Sequence, residues 1–130
     1  MAMISSAKVL ELSAITDKDP KKKYIEAIDL EGVTTHGENL LVVTYIRPAK
    51  TAGGIWRPDD NIKEDEFQGN VGLVVQVGDD FDEEQAKEVL HTWVVFGCND
   101  GLRYRYEGVP SRIIPYNRVR QTVPDPSKVL

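Results

Sequence analysis

The histidines and acidic residues are the side chains of this sequence that could bind a metal ion, but their spacing does not suit one. His36 and His91 lie far apart, and neither has a second histidine, cysteine or aspartate at ligand spacing. Residues 59–61 read Asp-Asp-Asn, as part of a calcium loop would. The alternation of oxygen ligands fails at Lys63, however, and no glycine follows at the turn position. The sequence therefore predicts no metal site.

Catalysis would need a nucleophile beside a base, or carboxyl groups held in unlike surroundings. Cys98 has no obvious histidine partner, which favours an inert, half-buried thiol. The acidic residues within 79–84 are expected to share one solvated helix cap, so nothing drives their pKa values apart. The Gly-Gly pair at 53–54 lacks the ending and the following helix of a phosphate-binding loop. We therefore predict a protein that is not an enzyme, with no catalytic residue, no cofactor and no small-molecule substrate.

Residues 50–59 are the most distinctive stretch of the chain and predict a loop that binds a partner. They read Lys-Thr-Ala-Gly-Gly-Ile-Trp-Arg-Pro-Asp and follow the apolar run at 40–46. The two glycines free the backbone to take positive φ and the proline cannot donate to a ladder, so neither a helix nor a central strand is expected. Ile55 and Trp56 must then either fold back onto the protein core or become buried in another protein.

This stretch resembles the mobile loop of the GroES-like co-chaperonin family, whose pattern is Lys-Thr-Ala-Gly-Gly-Ile-x-x-Pro-Asp. The resemblance extends in register from about residue 39 to residue 119, because 68–78 is similar to the family's next strand, and 93–96 and 112–119 to its late strands. It implies a small β-barrel, a ring of subunits that commonly number seven in that family, and a loop that grips a chaperonin. The family's gripping tripeptide falls on residues 55–57, so the implied partner-binding residues are Gly53, Gly54, Ile55, Trp56 and Arg57.

Short apolar segments separated by glycine and proline predict an all-β fold around this loop. We expect strands at 40–48, 71–77, 93–96, 102–106 and 113–116, the last at a sheet edge because it contains a proline. A short helix over 82–90, capped by Asp79 or Asp80, is predicted between two of the strands. The stretch 122–126 is expected to be extended, without regular structure.

The predicted domain organisation is a GroES-like β-barrel at 39–120 with an extension at either end. Residues 1–38 form an N-terminal arm and residues 121–130 a C-terminal tail. Within the arm, 24–30 alternates imperfectly, so a strand and a short helical turn both remain open. Chains of the GroES-like family normally begin almost at the first barrel strand, so the arm is a departure from that pattern.

Charge is segregated along the chain. Residues 79–88 contain six acidic residues and one lysine, whereas 103–120 contains five arginines and one glutamate. Both stretches can be solvated surfaces; alternatively, acidic and basic edges meet between neighbouring copies and fix their register. The predicted subunit-contact residues are Asp79, Asp80, Arg103, Arg105, Arg118 and Arg120. Alternating arginine and tyrosine at 103–106 would also suit single-stranded nucleic acid, but the net charge of −5 argues against that partner.

Composition places this sequence among single-domain proteins without a membrane segment. Its 130 residues, of which 41% are hydrophobic, can build one core. No apolar run approaches the roughly 20 residues that span a bilayer, and the first residues lack the regions of a signal peptide. The single cysteine cannot form an internal disulfide, which fits a reducing compartment. We expect the protein to be located in the cytoplasm or to be part of a virion. If the protein is viral, the cytoplasm is that of the host cell.

Two functions remain open at the level of the sequence. In the first, the barrel is a structural subunit that decorates a larger assembly such as a phage capsid or tail, and docks on it and on its own copies. In the second, it is a working co-chaperonin that closes a GroEL-type chaperonin through residues 50–59. Arg57 and the two extensions favour the first, because a guanidinium in an apolar groove is costly unless it meets a carboxylate.

Overall fold

The computed structural model describes residues 11–15, 20–47 and 70–129. Within these ranges the chain forms six strands, two α-helices of seven residues and two short 3₁₀ turns, and residues 11–13 are also helical. In chain order the elements are α1 (Lys21–Ala27), β1 (Asn39–Thr44), β2 (Val71–Val77), α2 (Glu83–Val89), β3 (Trp93–Val95), β4 (Leu102–Tyr106), β5 (Val109–Pro115), a 3₁₀ turn (Tyr116–Arg118), β6 (Gln121–Val123) and a second 3₁₀ turn (Pro126–Lys128).

The six strands form one antiparallel sheet in the order β4-β5-β1-β2-β3-β6. This confirms the predicted all-β class in its coarse form, a β-rich fold with few short helices. Strand β1 lies inside the sheet and is buried from Leu40 to Thr44. Within the described ranges β4 and β6 are the two end strands, so the closure of the sheet into a GroES-like barrel stays a prediction.

Both faces of the sheet are covered, which explains why β1 is apolar without alternation. Leu41 and Val43 belong to one buried cluster, together with residues of β2, β3 and the N-terminal segment. Leu40 and Val42 point the other way, into a second cluster that includes Val89 of α2. Successive residues of a strand face opposite sides, so a strand that is buried on both sides must be apolar throughout.

The described part of the N-terminal segment packs against the sheet. Leu12, Tyr24 and Ile28 all lie in the first buried cluster. Of the stretch 24–30, for which a strand and a helical turn were both left open, α1 covers 24–27, and 28–30 are not helical. The boundary predicted at residue 38 is not tested, but 11–15 and 20–30 contribute to the same core as the strands. They do not extend away from it.

Several details of the predicted elements are wrong. The strand predicted at 40–48 ends at Thr44, and the one predicted at 113–116 begins at Val109. The late strand is not at an edge: β5 lies between β1 and β4, and its Pro115 is tolerated because it is the last residue of the strand. The stretch 122–126 was expected to lack regular structure, but its first two residues lie in β6, where Val123 pairs with Trp93 and packs on the first cluster. Helix α2 is capped by Asp82, whose carboxylate accepts the Gln85 N–H at 2.7 Å.

Candidate functional site

The long connection between β1 and β2 is the part of the fold that leads to the predicted gripping residues. Residues 53–57 lie outside the described ranges, so the contacts predicted for them are not tested. Strand β1 ends at Thr44 and β2 begins at Val71; the connection between them is described as far as Arg47 and again from Asn70. Thr44 pairs with Gly72, and the Tyr45 N–H donates to the Val71 carbonyl at 3.0 Å. Both ends of the connection therefore emerge side by side from two strands inside the sheet.

Gly72 lets these two strands approach closely where the connection begins. A Cβ atom at this position would lie 2.8 Å from the Val43 carbonyl oxygen and 3.3 Å from the Val42 side chain. Backbone cannot yield as a flexible side chain can, so any larger residue would push β2 away from β1. The glycine thereby contributes to a close, well-defined origin for the connection.

A tyrosine of α1 holds the last buried residue before the connection. Ile46 is 1% exposed and lies beyond the end of β1. The Tyr24 hydroxyl accepts the Ile46 N–H at 2.9 Å and donates to the Ile46 carbonyl at 3.3 Å. Buried backbone groups need hydrogen-bond partners, and here one side chain supplies both.

Three aromatic rings pack beneath the same point. The centroids of Tyr24 and Tyr45 are 6.1 Å apart, and those of both tyrosines lie 5.3 and 5.6 Å from the Trp93 ring, at edge-to-face angles. Such arrangements are favoured by aromatic quadrupoles. We call Tyr24, Tyr45, Ile46 and Trp93 the loop root. Its buried rings and hydrogen-bonded backbone lie where the connection begins.

The predicted subunit-contact arginines do not lie on one edge of the sheet. Arg103 and Arg105 are exposed residues of β4, at one end of the strand order. Arg118 and Arg120 precede β6, at the other end, where the Arg120 N–H donates to the Val95 carbonyl at 2.8 Å. The basic stretch 103–120, which is continuous in sequence, thus has these arginines at opposite ends of the strand order.

The two predicted acidic contact residues lie in the turn after β2. The Asp79 carboxylate accepts the Gly37 N–H at 2.7 Å and lies 3.5 Å from the His36 ring. The bond from Gly37, followed by that from His36, lowers the pKa of Asp79 below its ordinary value of 3.8. The stability that these two contacts of Asp79 contribute is present at pH values above the ordinary pKa. It is lost as the pH falls through the lowered pKa. Asp80 is exposed beside it.

Arg112 is a buried cation that sequence reasoning missed. It is 0% exposed on β5, opposite Arg103 of β4 and Val42 of β1, and its guanidinium carbon lies 4.8 Å from the centre of the Phe96 ring. One guanidinium nitrogen, Nη1, donates to carbonyls in the turn after β3, at distances of 3.0 to 3.4 Å. Nε and Nη2 have no partner among the described residues. Burial, and then the charge of Arg103, lower the pKa of Arg112.

We expect Arg112→Met to leave the free energy of unfolding unchanged or to raise it by about 1–2 kcal/mol. Methionine keeps the length and the contact with Phe96 while it removes two unpartnered donors and a like charge opposite Arg103. The carbonyls that lose their donor lie in a turn whose residues 97–99 are exposed, so water can replace it. Urea denaturation measures the change.

The matched control is Arg112→Ala, which should lose about 2–4 kcal/mol because it leaves a cavity at the same position. A loss of more than 2 kcal/mol in Arg112→Met would show instead that the bonds to the turn dominate.

The turn itself forms where the Cys-Asn-Asp-Gly sequence predicted it, with Gly101 at φ 79°. Cys98 is exposed there and not half-buried as predicted, because its backbone faces Arg112 while the residue itself lies in the surface turn.

No group of three or more histidine, cysteine or acidic side chains in the described ranges is placed to hold a metal ion. None of the helices described is long and apolar enough to cross a bilayer. Among protein-family models none matches this chain, and a search of curated proteins finds no match either. The loop root, the divided arginines and Arg112 are therefore interpreted from their own geometry.

Proposed function

We propose that this protein is a non-enzymatic docking subunit with a GroES-like barrel, and that it serves as a structural or decoration component of a larger assembly such as a phage capsid or tail. The observation that carries the proposal is the loop root: a long connection with a Gly-Gly-Ile-Trp sequence begins at a buried, hydrogen-bonded base. A fixed base restricts where a binding loop can go, which reduces the entropy lost on docking.

The sequence of the connection supports protein–protein docking over other uses. Ile55 and Trp56 are adjacent apolar residues flanked by polar ones, and a buried aromatic anchor typically carries more binding energy than its neighbours. Arg57 follows directly. An arginine at this point would fit a partner surface that offers a carboxylate beside an apolar pocket. A shell or tail protein with such a surface is the partner we propose.

The alternative function is that of a co-chaperonin, and the resemblance of residues 50–59 to the family's mobile loop supports it. Capture of the purified chain by a bacterial chaperonin, with and without ATP, distinguishes the two. Nucleotide-dependent capture would establish the co-chaperonin function despite Arg57. Absence of capture at micromolar concentrations, with the chain present in purified particles, would establish the structural role.

Self-association through opposite charges is the second part of the proposal. Arg103 and Arg105 on β4 would meet acidic residues of a neighbouring copy, among them Asp79 and Asp80. We expect the double variant Arg103→Glu, Arg105→Glu to weaken self-association at least about tenfold, because like charges brought together cost several kcal/mol. Sedimentation velocity at low and high salt measures it, since surface charge contacts weaken as salt increases.

The control for this measurement is Lys22→Glu, a charge reversal at an exposed residue of α1 that is not among the predicted contacts. The control should associate as the wild type does. Wild-type protein that stays monomeric at every salt concentration, or a double variant that associates normally, would rule out these contacts.

A further inference from the structure

Helix α1 is too weak to be held by its own sequence. It has seven residues, its first turn contains lysines and no acidic residue, and no side chain in the described ranges caps its N-terminus. Positive charge at the N-terminus opposes the helix dipole, and so short a helix is marginal in water. Its position must therefore come from tertiary contacts, and Tyr24 is its fully buried residue.

Tyr24 is also the residue that links α1 to the start of the β1–β2 connection. Its hydroxyl bonds both backbone groups of Ile46, and its ring packs on Tyr45 and Trp93. Residues 24 and 46 are far apart in sequence, so these bonds exist only while α1 is docked. When α1 leaves the sheet, a buried N–H and a buried carbonyl lose their partner together.

We propose that α1 is a clamp for the loop root, with Tyr24 as its positioning residue. The docked helix holds Ile46 in place, and the bonded Ile46 in turn favours the docked helix. The two events share contacts, so docking of α1 favours the bonded state of Ile46 by the same free energy by which bonded Ile46 favours docking of α1. The consequence for partner binding rests on the proposed function: docking through the connection should be strongest when α1 is docked.

Amide hydrogen exchange at Ile46 tests the clamp directly, by NMR on the full chain. Tyr24→Phe keeps the ring and removes the hydroxyl, so Ile46 exchange should accelerate by about 2- to 12-fold, the range that one hydrogen bond supplies. Lys22→Glu should act in the opposite direction and slow Ile46 exchange by about 2- to 5-fold, because a carboxylate in the first turn favours the helix. Tyr106→Phe, which removes a tyrosine hydroxyl on β4, is the matched control and should leave Ile46 unchanged.

Opposite effects of the two α1 variants at Ile46, with Tyr106→Phe silent, would support the clamp. Equal exchange at Ile46 in all four proteins would overturn it. Partner affinity, measured on the chaperonin or shell protein that captures the wild type, should follow the same order as Ile46 protection. Altered exchange without altered affinity would overturn the positioning role of Tyr24. If no partner captures the wild type, the proposed function fails, while exchange at Ile46 still decides whether the clamp exists.

Discussion

Trp93→Ala is expected to lower the free energy of unfolding by about 3–5 kcal/mol, enough to unfold a marginal domain. Trp93 is 0% exposed and lies in β3, where it pairs with Leu73 on one side and Val123 on the other. Its ring contacts two tyrosines of the loop root. Truncation would leave a cavity between the sheet and α1, next to Tyr24 and Tyr45, and such a cavity costs free energy because the surroundings relax only in part.

The matched control is Trp93→Phe. It keeps an aromatic ring in the cluster and removes an indole N–H that has no partner among the described residues, so we expect a loss of only about 1–2 kcal/mol. Chemical denaturation followed by circular dichroism measures both variants. Equal losses in the two would show that the packing of the ring is not the main contribution of this residue.

Trp56→Ala, in contrast to Trp93→Ala, is expected to leave the fold unaffected and to weaken partner binding by about 30- to 1,000-fold. Trp56 lies in the connection and follows Gly-Gly-Ile, where neither a strand nor a helix is predicted. The chain has two tryptophans, so the fluorescence of this variant reports on Trp93 alone and shows whether the loop root is intact. Binding is measured by titration against the chaperonin or the shell protein.

Leu102→Ser is the control for that experiment. Leu102 is 64% exposed on β4, so its replacement removes an exposed apolar side chain outside the connection. Binding should be unchanged. An equal loss of partner affinity in both variants would point to a general apolar contact and not to the connection. Unfolding of Trp56→Ala would place Trp56 in the core.

The elements with a strong local pattern were predictable to the residue. The Val-rich run at 71–77 and the alternating stretch at 102–106 became β2 and β4 with the predicted bounds, because apolar periodicity and β-branched content are local properties. The helix after β2 was predicted within one residue at each end, but its cap was not. Several aspartates precede it, and Asp82 serves as the cap because the first helical residue is Glu83, which places the Gln85 N–H within reach of its carboxylate.

Sequence by itself determined that this chain is β-rich, has one short helix after β2 and carries a distinctive Gly-Gly-Ile-Trp sequence within 50–59, since each of these depends on neighbouring residues. Only the tertiary structure decided that β5 lies inside the sheet, that the arginines divide between its two ends, that Arg112 is buried and that Tyr24 holds Ile46. These features depend on contacts between residues far apart in the chain. No local preference specifies such contacts, because the free energy that selects them comes from burying both partners at once.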